Sequence, residues 1–379
     1  PLIVDIKLEK EEKNVKKMPT VGCLFLLLTV FCGPVVGGTN IRIQTVMGSD
    51  SPEHFMLNQF ASDVAILTGQ EVTFEVLEKD AVVGTQGLIE AIDSGEIEAG
   101  FAWTHYWTAY HPAAMLFGSP TAGAGLGLDN ISWLAWFLHG GGEQLYEELW
   151  REMGLNIKGL MLQPVGPEAL GWFMEPITTM DDFRDYTYRA PPGIPGEAYL
   201  EVGVDAVTMA GGEILQALEA GTIDAAEWCC PYSDMIFGFH KVLKHYYLQG
   251  LHQNIVNTDL YINGDVWNSI SEKNRKAIEI AAEASLIRTV TWRLHENGKA
   301  LQILTDQHGV ELHDTPDDYF DEYMEAAAGI YEELTAENMF FAKVYKSMQV
   351  FAKSAVPFWS GAQSSNAKIG MAFVKGMEE

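Results

Sequence analysis

The chain has 379 residues, 47% hydrophobic and 11% aromatic, with a formal net charge of −28. Two domains are expected at this length, and the composition is that of a globular protein rather than a disordered one. So acidic a surface repels nucleic acid and anionic lipid, which excludes both as partners.

At the N-terminus Lys16 and Lys17 precede an apolar run, VGCLFLLLTVFCGPVV, that is too short to span a bilayer and is followed by Gly37 and Gly38. Residues 1–38 therefore read as a secretory signal peptide with an upstream segment, because the first methionine is Met18. Phe31 stands where a lipoprotein anchor at Cys32 would need a small residue. An exported, soluble, periplasmic protein is expected. Without residues 1–38 the chain keeps 19 Lys and Arg against 48 Asp and Glu, and between residues 43 and 150 Lys79 is the only Lys or Arg. An anion bound here has to find its positive charge mainly elsewhere in the chain.

The remaining chain opens with a strand, IRIQTVM (41–47), a polar turn, a helix LNQFASDVAILTG stopped by Gly69, and a second strand EVTFEVL. This is βαβ grammar and predicts a parallel sheet. An internal echo follows, 126 residues apart: LIEAIDSGEIEAGFAW (88–103) and ILQALEAGTIDAAEW (214–228). Each predicts a short amphipathic helix, a glycine stop at Gly95 or Gly221, and a strand. In that register Phe101 stands where the other copy has Glu227. One half thus offers aromatics at a strand end (Phe101, Trp103, Tyr106, Trp107) where the other offers a carboxylate, and the C-terminal ends of parallel strands are where ligands bind.

A strand is expected at IVNTDLYING (255–264), then a capping box at Ser269 and Glu272. The helix after it runs without proline to about Asn297, or on to Gly309, which at 1.5 Å per residue is roughly 40 to 55 Å. A helix so long bridges two lobes or projects. Pro316 opens another helical stretch, and the C-terminal segment reads as helical with a polar loop near GAQSSNAK.

Arg189, in YTYRAPPG, follows a strand-like segment, and a guanidinium there can hold a carboxylate through two parallel hydrogen bonds. Taken alone, a surface ion pair is the simpler account of it. Glu168, in GPEALGWF, and Glu227 are the carboxylates nearest to glycine-rich or strand-end positions. With a backbone carbonyl and an amide such as Gln253 they would make an oxygen cage suited to Na⁺ or Ca²⁺ rather than zinc. Cys229 and Cys230 are adjacent, which strains a disulfide and lacks zinc spacing, so they read as two small buried residues. HGGG (139–142) is reminiscent of an esterase oxyanion loop, but the chain contains no GxSxG nucleophile elbow, which argues against a secreted hydrolase. GAGLGL (123–128) lacks dinucleotide-loop spacing, and HENG (295–298) is not HExxH.

Three segments, GWFMEPITTMDDFRDYTYR, AGGEILQALEAGTIDAAEWCCPYSDMIFGF, and the returning strand with its long helix, together resemble the solute-binding proteins of TRAP transporters. The likeness covers nearly all of the chain after residue 38 and is greatest to the branch that binds 2-oxo and 2-hydroxy monocarboxylates. It implies an α/β, two-lobe periplasmic binding protein fold with a hinge and a long helix spanning both lobes. Lobe I would take 39–162 and 255–300, and lobe II 163–254 and 301–379 with the C-terminal helices. It also implies no enzymatic activity, a small organic acid anion as ligand, and TRAP membrane permease subunits as partners. Carried over by position, Arg189 would clamp the carboxylate, while Glu227 and the Trp228 carbonyl would hold a metal that also touches the ligand. Glu168 falls where the branch often has Gln, and Gln253 where another metal ligand is expected. Two acidic ligands favour Ca²⁺, with Na⁺ as the alternative. Phe101, Trp103 and Tyr106 would supply the opposing wall. Some relatives in this branch pair through C-terminal helices, so a homodimer and a monomer both stay open, and a stand-alone ligand-sensing module is the other competing reading.

Overall fold

The computed structural model describes residues 38–209 and 211–378. The expected signal segment lies, apart from Gly38, outside the described residues. In chain order, β1 (Thr39–Thr45), α1 (Pro52–Leu67), β2 (Val72–Leu77), α2 (Leu88–Ser94) and β3 (Ala99–Trp103) come first. They are followed by α3 (Ala114–Gly118), α4 (Asn130–His139), α5 (Gly142–Glu152) and β4 (Ile157–Pro164). Next come β5 (Gly171–Phe173), α6 (Met180–Arg184), β6 (Thr187–Arg189), α7 (Ile194–Glu201), β7 (Asp205–Val207), α8 (Gly211–Ala220), β8 (Ala225–Ala226), α9 (Pro231–Phe237) and β9 (His245–Tyr247). The chain closes with β10 (Asn257–Asn263), α10 (Gly264–Ser269), α11 (Glu272–His308), β11 (Glu311–His313), α12 (Asp317–Glu337) and α13 (Met339–Glu378).

The strands form two sheets, β2-β1-β3-β10-β4 and β11-β9-β5-β8-β6-β7, which define two α/β lobes. The β1, β2 and β3 pairings are parallel, as the βαβ pattern requires, whereas β10 returns antiparallel between β3 and β4. Two segments cross between the sheets, one after β4 and one before β10. They are stitched to each other by Val165 N–H donating to Val256 O at 2.7 Å and Glu168 N–H to Gln253 O at 3.1 Å. This paired ribbon is the hinge, and it carries Glu168 and Gln253 directly.

The 37-residue helix α11 packs on α1 and β4 in one lobe and on α9 in the other. At 1.5 Å per residue it is about 55 Å long, and it ends where Gly309 adopts a left-handed φ of 63°. Its N-cap is Ser271, whose hydroxyl accepts from Asn274 N–H, not the Ser269–Glu272 box expected from sequence: Ser269 is the last residue of α10 and turns its hydroxyl onto Val266 O. The polar stretch GAQSSNAK is not a loop either. It continues α13, through Pro357, as an exposed helix. The residues of that stretch carry no helix-breaking pair, so a helix already begun propagates through them at little cost per residue.

The internal echo is real at the level of backbone. α2, Gly95 (φ 77°) and β3 are matched by α8, Gly221 (φ 66°) and β8. Both glycines take the left-handed conformation that closes a helix and turns the chain into a strand.

Candidate functional site

A cavity of about 330 Å³ lies between the lobes where the strand ends meet. Met47, Trp103, His105 and Tyr106 line it from the first sheet, Arg189 and Trp228 from the second, and Glu168, Gln253 and Val256 from the hinge ribbon. The N-terminus of α1 adds Asp50, Ser51 and Glu53. Such a volume lies at the small end of ligand pockets.

Arg189 is the last residue of β6 and is almost fully buried, as parallel neighbours on both sides require at a strand end. Its Nη1 pairs with Glu227 Oε1 and also donates to the Glu227 carbonyl at 3.3 Å, while Nη2 donates to Met209 O at 3.2 Å. The guanidinium lies 5.6 Å from the Trp228 ring centroid, a cation–π distance. Three constraints thus hold one planar cation in place.

Glu227 follows β8 directly and is fully buried. Burial alone would raise its pKa, but Arg189 beside it, aided by His252, holds it below the ordinary carboxylate range. Glu168 goes the other way: burial, followed by the charges of Glu227, Cys230 and Asp234, pushes it well above that range. Two carboxylates in one dry pocket therefore differ in proton affinity, which is how unequal environments separate like groups.

The decisive arrangement is a cluster of Glu168, Glu227 and His252, all buried, whose ligand atoms lie within 4.8 Å of one another. Glu168 Oε2, Glu227 Oε2 and His252 Nε2 are each buried without a hydrogen-bond partner. The last two stand 3.7 Å apart, beyond hydrogen-bond distance. An orphaned polar atom on each of three clustered residues fits a nearby cation, since each costs free energy if left bare.

Of the residues expected from sequence, Arg189, Glu168, Trp228, Gln253, Trp103 and Tyr106 all reach the cavity wall, and Glu227 lies one layer beneath it against Arg189. Phe101 does not reach it. It sits two residues short of the strand end, fully buried with Ile41, Ile43 and Leu57 in the core of the first lobe. Burying such a ring is worth about 1.5 to 3 kcal/mol, so it has no reason to face water. Trp107 is likewise core, edge-on to Tyr261. Tyr106 is pushed up to about 12 by burial, so it keeps its phenolic proton as a donor at neutral pH.

Sequence reasoning missed His252, whose Nδ1 meets the Tyr199 hydroxyl at 3.0 Å, and the buried pair Arg293–Glu53, which ties α11 to α1 beside the cavity. His252 adjoins Gln253, a residue already singled out, and that adjacency was its only trace. Cys229 and Cys230 are buried free thiols, their sulfurs 3.0 Å apart. HGGG spans the end of α4, the turn and the start of α5, with His139 exposed.

The chain matches the DctP family model, bacterial extracellular solute-binding protein, family 7, over residues 43–338. It belongs to that family. DctP-family chains are the solute-binding proteins of TRAP transporters and bind solutes rather than transform them. The monocarboxylate 2-oxoacid-binding periplasmic protein of Nostoc sp. is 28% identical over 278 residues, 72% of this chain and 73% of that one. A TRAP solute-binding protein from Bordetella bronchiseptica, a dimer with calcium and picolinate in one site, superimposes with a TM-score of 0.81 at 24% identity, covering 89% of this chain and 98% of that one. One from Pseudoalteromonas atlantica with sodium and pyruvate gives 0.79 at 22% identity, over 87% and 99%. One from Colwellia psychrerythraea with calcium and pyruvate gives 0.78 at 23%, over 88% and 99%. At these identities the structural likenesses establish the fold. Among the described residues of this DctP-family chain no helix is long and apolar enough to cross a membrane.

Proposed function

We propose that this protein is the periplasmic component of a TRAP transporter that captures a small 2-oxo or 2-hydroxy monocarboxylate together with a cation and presents it to the membrane permease. The observation that carries this reading is the cluster of three partnerless buried polar atoms, Glu168 Oε2, Glu227 Oε2 and His252 Nε2, beside the fixed guanidinium of Arg189. A cation satisfies the two carboxylate oxygens, with His252 a neighbour rather than a ligand, and a carboxylate satisfies what remains of the arginine's positive charge.

Ca²⁺ is the ion this donor set favours, with Na⁺ as the alternative, because two carboxylates supply the negative charge a divalent ion needs. Glu168, Glu227, the Trp228 carbonyl and Gln253 would hold it. Gln253 spends its amide N–H on Ser119 Oγ at 3.1 Å, so its carbonyl oxygen is the end left for an ion. The ion would contribute electrostatic attraction for the ligand carboxylate. Trp103 and Tyr106 would close over the ligand from lobe I, with the Tyr106 hydroxyl as donor to the 2-oxo or 2-hydroxy group. The relatives that hold pyruvate or picolinate with calcium or sodium support this combination.

The same reading includes a homodimer through α13, whose Phe358, Ile369, Met371 and Phe373 are 69 to 74% exposed. Phe358, Ile369 and Phe373 fall on one face of the helix, and exposed apolar side chains so grouped mark an association surface.

A thermal-shift screen of monocarboxylates with and without Ca²⁺ tests the function, since a ligand at 100 times its Kd stabilises by about 2.7 kcal/mol. The expected result is a rise in melting temperature with a 2-oxo or 2-hydroxy acid that is larger when Ca²⁺ is present. No response to any such acid would overturn the reading.

A further inference from the structure

We propose that the edge of the second sheet carries a separate metal site, a triad of His245, Glu311 and His313 that takes Zn²⁺ or a similar borderline dication. The site shares no residue with the ligand cluster, differs from it in donor chemistry, and does not depend on the function proposed above.

Strand register builds it. β11 and β9 are parallel, with Glu311 opposite His245 and His313 opposite Tyr247. Side chains two apart on a strand share a face, so Glu311 and His313 project together and His245 meets them from the neighbouring strand. The donor atoms form a compact triangle: His245 Nδ1 to His313 Nε2 is 2.9 Å, His245 Nδ1 to Glu311 Oε2 is 3.5 Å, and His313 Nε2 to Glu311 Oε2 is 3.8 Å. A point about 2.0 Å from all three atoms exists close to their common plane, which matches Zn–N and Zn–O bonds of about 2.0 to 2.2 Å.

Ring positions are constrained as well. His313 stacks on Tyr247 at 5.1 Å between centroids and 22° between planes. The two histidine side chains retain 14% and 26% of their accessible area, while Glu311 retains 65%. One side of the triangle thus stays open to water, the pattern of a three-ligand zinc centre with a solvent fourth ligand. Two imidazoles and one carboxylate select a borderline metal over Ca²⁺ or Na⁺, which take oxygen. A ring-to-ring hydrogen bond accounts for the 2.9 Å contact but not for a carboxylate turned toward both nitrogens beyond hydrogen-bond range.

The experiment uses the untagged mature chain, stripped with chelator and titrated with Zn²⁺ against a chromophoric competitor. A saturable step of one Zn²⁺ per chain is expected, insensitive to excess Ca²⁺ and unchanged in Glu168→Gln and His252→Ala, which localises it away from the cavity. His245→Gln and His313→Gln keep side-chain volume on the strands and should each abolish the step while far-UV circular dichroism stays as in the parent. Absence of Zn²⁺ uptake by the parent chain, or uptake that survives both histidine variants, overturns the proposal. Loss of organic-acid binding in the cavity variants with Zn²⁺ uptake intact bears only on the transport reading.

Discussion

Arg189 and Glu227, 38 residues apart, end neighbouring parallel strands and pair through Nη1 and Oε1 with both side chains buried. The pair is not self-sufficient. Arg189 keeps an edge on the cavity, and Glu227 keeps Oε2 without a partner, so each charge has capacity left for a ligand or an ion.

Arg189→Ala removes the carboxylate clamp and strands Glu227. Affinity for the organic acid is expected to fall by about 2 to 5 kcal/mol, read by calorimetry. The variant should also lose roughly 3 to 5 kcal/mol of stability, because breaking a buried pair leaves an uncompensated charge. Arg189→Lys should recover part of the stability but little of the affinity, since an ammonium lacks the planar fork. Unchanged affinity in both variants would remove Arg189 from the site.

Glu168→Gln tests the ion. Burial and the charge of Glu227 keep Glu168 protonated well above the usual carboxylate range, so a neutral amide there should leave the metal-free melting temperature level or higher. Stabilisation by Ca²⁺ should shrink and Na⁺ should become the effective ion. In the parent chain a proton competes with the cation at this carboxylate, so Ca²⁺ affinity should rise with pH. A Ca²⁺ response that is undiminished in the variant and flat with pH would sink the assignment.

Asp259 gives a pH signature independent of any ligand. It lies buried in β10, accepting from Thr104 Oγ1 and from Tyr146 OH at 2.9 Å, and burial raises it to about 7 from an ordinary 3.8. The folded state therefore binds a proton that the unfolded chain has released. Its contribution is complete below about pH 3.8 and is lost as pH rises through 7. That rise corresponds to something on the order of 4 kcal/mol. Asp234, raised to about 8 by burial, and Glu168 act with the same sign. Asp259→Asn should flatten part of the fall in denaturation midpoint between pH 4 and 8, and an identical pH profile would refute it.

Ile369 and Phe373 stand four apart on the exposed end of α13. Replacing both with Asp should convert a dimer to a monomer by light scattering while leaving ligand affinity unchanged. A parent chain that is monomeric at high concentration would dispose of the dimer.

The local grammar was legible without coordinates. Alternating β and α patterns, glycine stops at Gly95 and Gly221, and the long proline-free run after residue 271 each specify backbone through short-range sterics and hydrogen bonding. Strand-end position and the resemblance of the surrounding segments singled out Arg189, Glu168 and Glu227, which the structure brings together. Phe101 failed because an echo in sequence conserves strand register but not depth along the strand: two residues separate a core ring from a cavity wall.

By itself, then, the sequence determined the alternation of elements, the repeated unit, the family and the acidic, basic-poor first half. Only the tertiary structure decided that His252 joins Glu168 and Glu227, that Arg293 reaches Glu53, and that His245 meets Glu311 and His313. Those contacts join residues 25 to 240 positions apart, and no local preference encodes them. They exist because hinge, sheet register and the crossing helix bring distant polar groups together, and where the space between them is dry each must find a partner or pay for its absence.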